Sequence, residues 1–506
     1  MFDIRSIWTF LKKNFNRFDI LLAVVLLVLF FVTRLINLEK LPIFCDEGIY
    51  IRWAKVAWKD ASWRFISLTD GRQPLQTWLT IPFLKLFPTQ ALFAGRLFGV
   101  ASGFAAITGI FALLYYLFNK RIAFIGSFLY IITPFFLFYD RMALADSAVN
   151  AGFVWILFFS ILLIKNLRLD IALIFGLIAG LTLLTKSTAR LFLGLSVLAP
   201  VINLFKNKKK FVLESVNYLI LLGLVAFLAL ALYNIQRLSP FMHYIAEKNT
   251  TFVMTYAEFM KNPFAVFWHN LQIIPYYVFS ELGYLVGILG VIGFAGLFKK
   301  DKGLALYLSS WLVLSFLAVA FFSKVIFPRY LIFFATMLLL TASFYVGQLK
   351  RSLSKLILAA AIIVSLYYGW IILFNQPLLP FPEIDRGQYI EGECAGYGTR
   401  EIMEFARAKS ADKPVILLAE GNFGLIGDML NVHLLPGDRI DIRGFWPLEE
   451  LQLLENQKEI GANNVYAVFS QRKIFPKEWP IKLIMKYDKP GARTAYYLFE
   501  LLPKEQ

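Results

Sequence analysis

Residues 21–32, LLAVVLLVLFFV, carry no charge, and soon afterwards residues 41–55, LPIFCDEGIYIRWAK, set two carboxylates side by side, Asp46 and Glu47. The apolar run extends over about 19–37, the length a helix needs to cross a bilayer. It has no A-x-A-like cleavage site and is read as a retained span, not a signal peptide. An acidic pair beside a span serves no insertion purpose. It therefore asks for a chemical reason.

The remaining composition fixes the class. The 506 residues are 58% hydrophobic, 17% aromatic and only 17% charged, with a mean hydropathy of +0.63. Soluble domains run about 45–50% apolar and about 25% charged, so the chain is a polytopic membrane protein. Its net charge of +17 is unevenly placed. Residues 385–506 hold 16 Lys and Arg against 18 Asp and Glu, net −2, whereas the first 384 hold 35 against 16, net +19. A basic excess lying between apolar runs sets membrane orientation and argues against nucleic-acid binding. Cys45 and Cys394 form no CxxC or Cys/His cluster, and with three histidines in the chain a zinc site is not expected.

Eleven segments are long and apolar enough to be candidate spans: about 19–37, 91–118, 122–138, 147–164, 169–185, 188–205, 212–233, 276–298, 304–322, 328–348 and 355–374. Residues 75–88, LQTWLTIPFLKLFP, are too short and proline-broken, and read as an interfacial or re-entrant helix. Lys12, Lys13 and Arg17 before the first span place the N-terminus in the cytoplasm. Eleven spans then make NKR (119–121), KNLR (165–168), KNKKK (206–210), KKDKG (299–303) and KRSLSK (350–355) cytoplasmic, and every one is basic. The opposite side receives loop 38–90, the 139–146 turn, loop 234–275, SKVIFPRY (323–330) and the tail. The expected organisation is a membrane domain over 1–376 and an extracytoplasmic α/β domain over 377–506. In the tail, PVILLAE, NNVYAVFS, IKLIMKYDK and TAYYLFEL read as strands, with TREIMEFARAK and PLEELQLLENQ as helices. The tail holds no GxGxxG, P-loop or GxSxG motif, and is read as a docking or acceptor-recognition module.

Ionisable groups beside a membrane are costly and therefore informative. Four clusters share the extracytoplasmic side: Asp46, Glu47, Tyr50, Arg52 and Lys55; Asp70, Arg72 and Gln73; Asp140, Arg141 and Asp146; and Lys324, Arg329 and Tyr330. Snorkelling cations, belt tyrosines and N-capping aspartates are the competing structural roles. His243, His269, Glu258 and Glu281 stay undecided between an acceptor site and ordinary loop or belt positions.

The order of the motifs carries a resemblance. DEGIY (46–50) follows the first span, RQPL (72–75) precedes the interfacial helix, and RMALADS (141–147) heads a later span. GLIAGLTLLTK (176–186) and PRYL (328–331) complete the series. Over about 15–375 this resembles the GT-C glycosyltransferases of the protein O-mannosyltransferase and lipid A aminoarabinose transferase superfamily. The resemblance implies about 11 transmembrane helices in a GT-C architecture, with a soluble domain on the active-site side. It implies that Asp46 is the first-loop catalytic aspartate, Glu47 its acidic neighbour and Asp146 the second aspartate. Arg141, Arg72, Lys186, Arg329 and Tyr330 match basic and aromatic positions of the family, and Lys324 joins them as a phosphate-binding candidate. Gln73 stands where the family has a proline. Ile49 stands where aminoarabinose transferases carry a basic residue, which argues against that donor.

The implied reaction moves a hexosyl or pentosyl group from a polyprenyl-phosphate carrier to an acceptor hydroxyl on protein, lipid or glycan, as in cell-envelope glycosylation at a prokaryotic plasma membrane. Charge returns to the phosphate as the glycosidic bond breaks, so fixed cations belong opposite a carboxylate base. Asp46 is expected to be that base, with inversion. The donor lipid is substrate, not cofactor. No metal is expected, although a divalent cation bridging Asp46 and Asp146 is left open. A transporter or flippase of lipid-linked glycans is the alternative, but charges confined to one face and the lack of a repeat favour an enzyme.

Overall fold

A computed structural model describes residues 13–205, 208–421 and 423–504. The chain is mostly helical: α1 (Arg17–Leu35), α2 (Cys45–Lys59), α3 (Leu75–Leu86), α4 (Ala91–Leu117), α5 (Lys120–Ile132), α6 (Pro134–Tyr139), α7 (Asp146–Asn166), α8 (Leu169–Leu183), α9 (Ala189–Ser196) and α10 (Lys208–Tyr233). Then come α11 (Tyr244–Phe252), α12 (Tyr256–Lys261), α13 (Phe267–Glu281), α14 (Leu285–Lys300), α15 (Lys302–Phe322), α16 (Ile332–Gln348) and α17 (Arg351–Phe374). Among the described residues, seven helices are long and apolar enough to cross a membrane: α1, α4, α7, α10, α15, α16 with the turn before it, and α17.

The other four expected spans are built differently. The segment 122–138 is divided between α5 and α6 at Thr133-Pro134, because proline cannot continue a helix through its own nitrogen. Residues 169–185 and 188–205 form shorter apolar helices. The segment 276–298 belongs to a pair, α13 and α14, bent by 112° where Gly283 and Tyr284 take positive φ. The α3 segment is a 12-residue helix with Pro82 inside it, too short to span.

Small residues let the helices meet closely, as membrane bundles require. A Cβ on Gly290 or Gly293 of α14 would lie 2.5 Å from the Leu338 carbonyl oxygen or 2.1 Å from that of Thr341, on α16. At one end of the bundle the basic connections gather. Lys120 pairs with Asp19 at 2.6 Å, Arg121 donates to the Leu349 carbonyl, and Lys300 lies over the rings of Phe118 and Phe344.

The tail forms a five-stranded sheet in the order β2-β1-β3-β5-β4, from β1 (Val415–Glu420), β2 (Ile440–Phe445), β3 (Asn464–Phe469), β4 (Ile481–Asp488) and β5 (Ala495–Leu501). The first three run parallel, and β5 is antiparallel to both β3 and β4. Helices α18 (Thr399–Lys409), α19 (Ile426–Val432) and α20 (Glu450–Asn456) accompany it. The domain sits directly on α2. Arg52 pairs with Asp428, and the Lys55 ammonium donates to the Asn431 carbonyl at 2.9 Å.

Candidate functional site

The mouths of the helices away from the basic connections enclose a cavity of about 500 Å³. Its polar wall carries Asp46, Tyr50, Arg72, Asp146, Lys186, Lys248, Arg329 and Tyr330. Its apolar wall includes Phe252, Val319, Phe322, Ile326 and Phe333.

Each charged side chain is aimed by local structure. Asp46 stands in the first turn of α2, where free N–H groups favour a carboxylate. Its two oxygens accept from Arg72 at 3.3 Å and Arg329 at 3.1 Å. Arg72 follows Gly71, whose φ of +65° reverses the chain; a Cβ there would lie 2.3 Å from the Tyr244 carbonyl oxygen. The Arg72 guanidinium also donates to the Tyr50 hydroxyl and to Asp70, both at 2.8 Å. Asp146 opens α7 and accepts from Lys186 at 2.8 Å, with the Arg329 Nε 3.9 Å away. The Lys186 ammonium lies 3.9 Å from the centre of the Tyr330 ring. Arg329 is anchored from the linker after α17, through Gln388 and the Tyr389 hydroxyl.

Burial acts to raise the Asp46 pKa, but Arg72 and Arg329, backed by Lys186, outweigh it and hold the carboxyl below its ordinary range. Arg72, Lys186, Arg190, Lys248 and Arg329 surround the cavity, whereas its carboxylates are Asp46, Asp146 and the flanking Asp70, which pairs with Lys248 at 2.6 Å. The positive surplus suits an anionic ligand.

Three residues expected at the site lie elsewhere. Glu47 is fully buried and turned away from Asp46. It accepts from Arg96 through both oxygens, at 2.9 and 2.7 Å, and from the backbone N–H groups of Phe44 and Ala143. It is therefore a positioning residue that ties α2 to α4 and to the 140–145 turn. Arg141 donates to the carbonyls of Thr33, Arg34 and Asn37 and closes the end of α1. Lys324 pairs with Glu258 at 2.8 Å on the rim. Side-chain direction separates them from the others: sequence adjacency puts Glu47 beside Asp46, but a helix turns each successive residue by about 100°.

Lys248 and Arg190 line the cavity without having been singled out from sequence. Each lies in a stretch with no distinguishing pattern, and only the fold brings them in. Gln388 and Tyr389, which hold Arg329, were equally hidden. Neither His243 nor His269 lines the cavity. Among the described residues no three His, Cys, Asp or Glu side chains converge. Asp46 and Asp146 are braced by three cations, a setting that does not fit a bridging divalent ion.

The model of the dolichyl-phosphate-mannose-protein mannosyltransferase family matches residues 72–233. A search of curated proteins by sequence finds no match. By structure, the chain is similar to ArnT from Cupriavidus metallidurans bound to undecaprenyl phosphate, with a TM-score of 0.60 and 14% identity over 95% of this chain and 97% of that one. It is also similar to the oligosaccharyltransferase AglB from Archaeoglobus fulgidus in complex with an inhibitory peptide and a dolichol-phosphate, with a TM-score of 0.50 and 13% identity over 90% of this chain and 69% of that one. A third similar structure is that oligosaccharyltransferase tethered to an acceptor peptide, with a TM-score of 0.51 and 13% identity over 91% of this chain and 70% of that one. The chain thus shares the GT-C fold of these structures, and over residues 72–233 its sequence is similar to the mannosyltransferase family.

Proposed function

We propose that the protein transfers a sugar from a polyprenyl-phosphate carrier to an acceptor hydroxyl, with Asp46 as general base and inversion at the anomeric carbon. The observation that carries this reading is the cavity itself, where two carboxylates and surplus cations share one chamber with an apolar wall. A phosphate fits the cations and a prenyl chain fits the wall.

In this mechanism Arg72, Lys186 and Arg329 receive the phosphate, Lys248 assists, and Tyr330 holds Lys186 in place. Negative charge grows on the leaving phosphate while the sugar becomes oxocarbenium-like. Cations fixed in a partly dry cavity stabilise that charge without reorganising. Once the phosphate draws Arg72 and Arg329 toward itself, Asp46 is free to accept the hydroxyl proton. Asp146 keeps Lys186 and Arg329 oriented.

The membrane placement follows the same geometry. The basic connections at 119–121 and 299–303 lie at one end and the cavity at the other, which supports a cytoplasmic N-terminus with the site and tail domain on the far side of a plasma membrane. The bent pair α13–α14 is a feature a transporter would share, but its elbow contributes no residue to the cavity. The test is transfer in nanodiscs from polyprenyl-phosphate sugars to candidate acceptors. Activity that is lost in Asp46→Asn supports the reading, and unchanged activity in that variant removes it. Comparing glycans and lipids from cells with and without the gene identifies sugar and acceptor.

A further inference from the structure

The chain has two cysteines, 349 residues apart in sequence, and the fold brings them together beside Asp46. Phe44 forms an antiparallel bridge with Ala395, and the Cys45 N–H donates to the Cys394 carbonyl at 3.1 Å. Positions facing one another across such a bridge have Cα atoms about 5.5 Å apart, within the span a disulfide closes. Each thiol acts on the other's pKa, raising that of Cys45 and lowering that of Cys394. Cys45 is buried, at 6% exposure, while Cys394 is partly open.

The surroundings make the two thiols unequal. The neighbouring Cys45 thiol lowers the Cys394 pKa; burial and the Asp46 charge oppose this, and Lys489 assists. Lys489 is itself only 2% exposed and is held in place by the carbonyls of Gly392 and Glu393 at 2.7 and 2.9 Å. Tyr496 fixes the same segment by donating to the carbonyls of Glu393 and Ala395. The partly open thiol, beside a lysine amine whose pKa burial pulls down to about 7, is the nucleophile of the pair, and the covered thiol is the resolving one.

We propose that Cys45 and Cys394 form a redox-active pair whose disulfide fastens the tail domain to the helix that carries Asp46. The oxidant is a small or protein disulfide. The Cys394 thiolate attacks it, forming a mixed disulfide and releasing one thiolate. Cys45 then loses its proton and attacks the Cys394 sulfur, releasing the second thiol. Two protons and two electrons pass to the external disulfide, which becomes two thiols. The bond lies between Asp46 and the 386–391 linker, whose Gln388 and Tyr389 hold Arg329. It thus clamps the two sides of the Asp46–Arg329 contact. In the reduced form that docking rests on non-covalent contacts: the Phe44–Ala395 bridge, the Cys45 N–H to Cys394 carbonyl bond, Arg52–Asp428 and the Lys55 contacts.

The pairing stands on geometry, while the presence of an oxidant in the cell rests on the extracytoplasmic side proposed above. The test equilibrates the full-length protein, in detergent, with mixtures of reduced and oxidised glutathione, followed by alkylation and intact-mass and peptide mass spectrometry. The expected products are loss of two hydrogens, a peptide linkage between Cys45 and Cys394, and no disulfide-linked dimer. Cys45→Ser should trap a glutathione adduct on Cys394, and Cys394→Ser should leave Cys45 unmodified. Two free thiols across the whole glutathione series, or an adduct on Cys394 that Cys45 never resolves, would overturn the proposal. Neither readout needs sugar transfer, so its failure is separate from failure of the glycosyltransferase reading.

Discussion

Two charged layers meet at the mouths of the spans, and adjacent residues belong to different ones. In the outer layer Asp46 faces Arg72 and Arg329 across a cavity, with side chains 17%, 22% and 5% exposed. In the inner layer Glu47 meets Arg96 at 2.7 Å with both side chains sealed, and Arg34 meets Asp140 at 3.2 Å with both fully buried. The inner layer is a set of satisfied ion pairs and carbonyl contacts. The outer layer has surplus cations and room beside them. A polar group closed on all sides holds helices together, whereas one left incompletely matched beside a cavity can exchange its partners for a ligand's.

The largest effect that could break this contrast is on turnover. Asp46→Asn keeps the side-chain shape and removes the proposed base, so turnover should fall about 10²–10⁴-fold while thermal unfolding in detergent is little changed. Truncating the carboxylate one residue on should do the reverse. Glu47→Ala strands the Arg96 guanidinium in the interior, which costs about 3–5 kcal/mol of stability, read as a lower unfolding midpoint. If Glu47→Ala leaves the midpoint unmoved and abolishes transfer, the two layers are one and Glu47 returns to the chemistry.

Much of the outer layer was legible in the sequence because its residues stand at span mouths, where a charge has few structural reasons to be. Asp46, Arg72, Asp146, Lys186, Arg329 and Tyr330 all line the cavity. Glu47, Arg141 and Lys324 share that position and differ only in the direction of the side chain, which a single sequence does not encode. The same limit applies to the helices. Apolar length marks the seven long ones, whereas the 112° bend between α13 and α14 depends on a positive φ at Tyr284, a residue type that gives no warning of it. Strands β1, β3, β4 and β5 were readable, but β2 (IDIRGF) was not, because a half-exposed edge strand carries two charges among six residues.

Arg141→Ala should have a smaller effect on stability than Glu47→Ala. It leaves the carbonyls of Thr33, Arg34 and Asn37 short of a donor, at a cost of about 1–3 kcal/mol. Donor KM should be unchanged. A raised donor KM with an unchanged unfolding midpoint would move Arg141 from the inner layer to the outer one.

The pH profile sharpens the outer layer further. Asp46 is held below the ordinary carboxylate range, so the ionised base persists as pH falls, and activity is lost only as pH passes through that lowered pKa. Arg72 is the largest of the cationic contributions that lower it. In Arg72→Gln the acidic limb of kcat/KM, which reports the enzyme before the donor binds, should therefore move to higher pH. A limb that stays in place would separate Asp46 from the group that titrates in turnover.

The smallest effect belongs to the rim. Lys324 is 29% exposed and Glu258 46% exposed, and water screens such a pair, so fixing it contributes little. Lys324→Ala should leave donor KM within about twofold of wild type, as expected for a weak exposed pair. Lys248→Ala, which removes a cation lining the cavity, should raise donor KM more than Lys324→Ala does. If the rim variant instead gives the greater loss, exposure is not what separates ligand-binding cations from structural ones here. The phosphate would then bind nearer the Glu258 rim than the Asp146 end of the cavity.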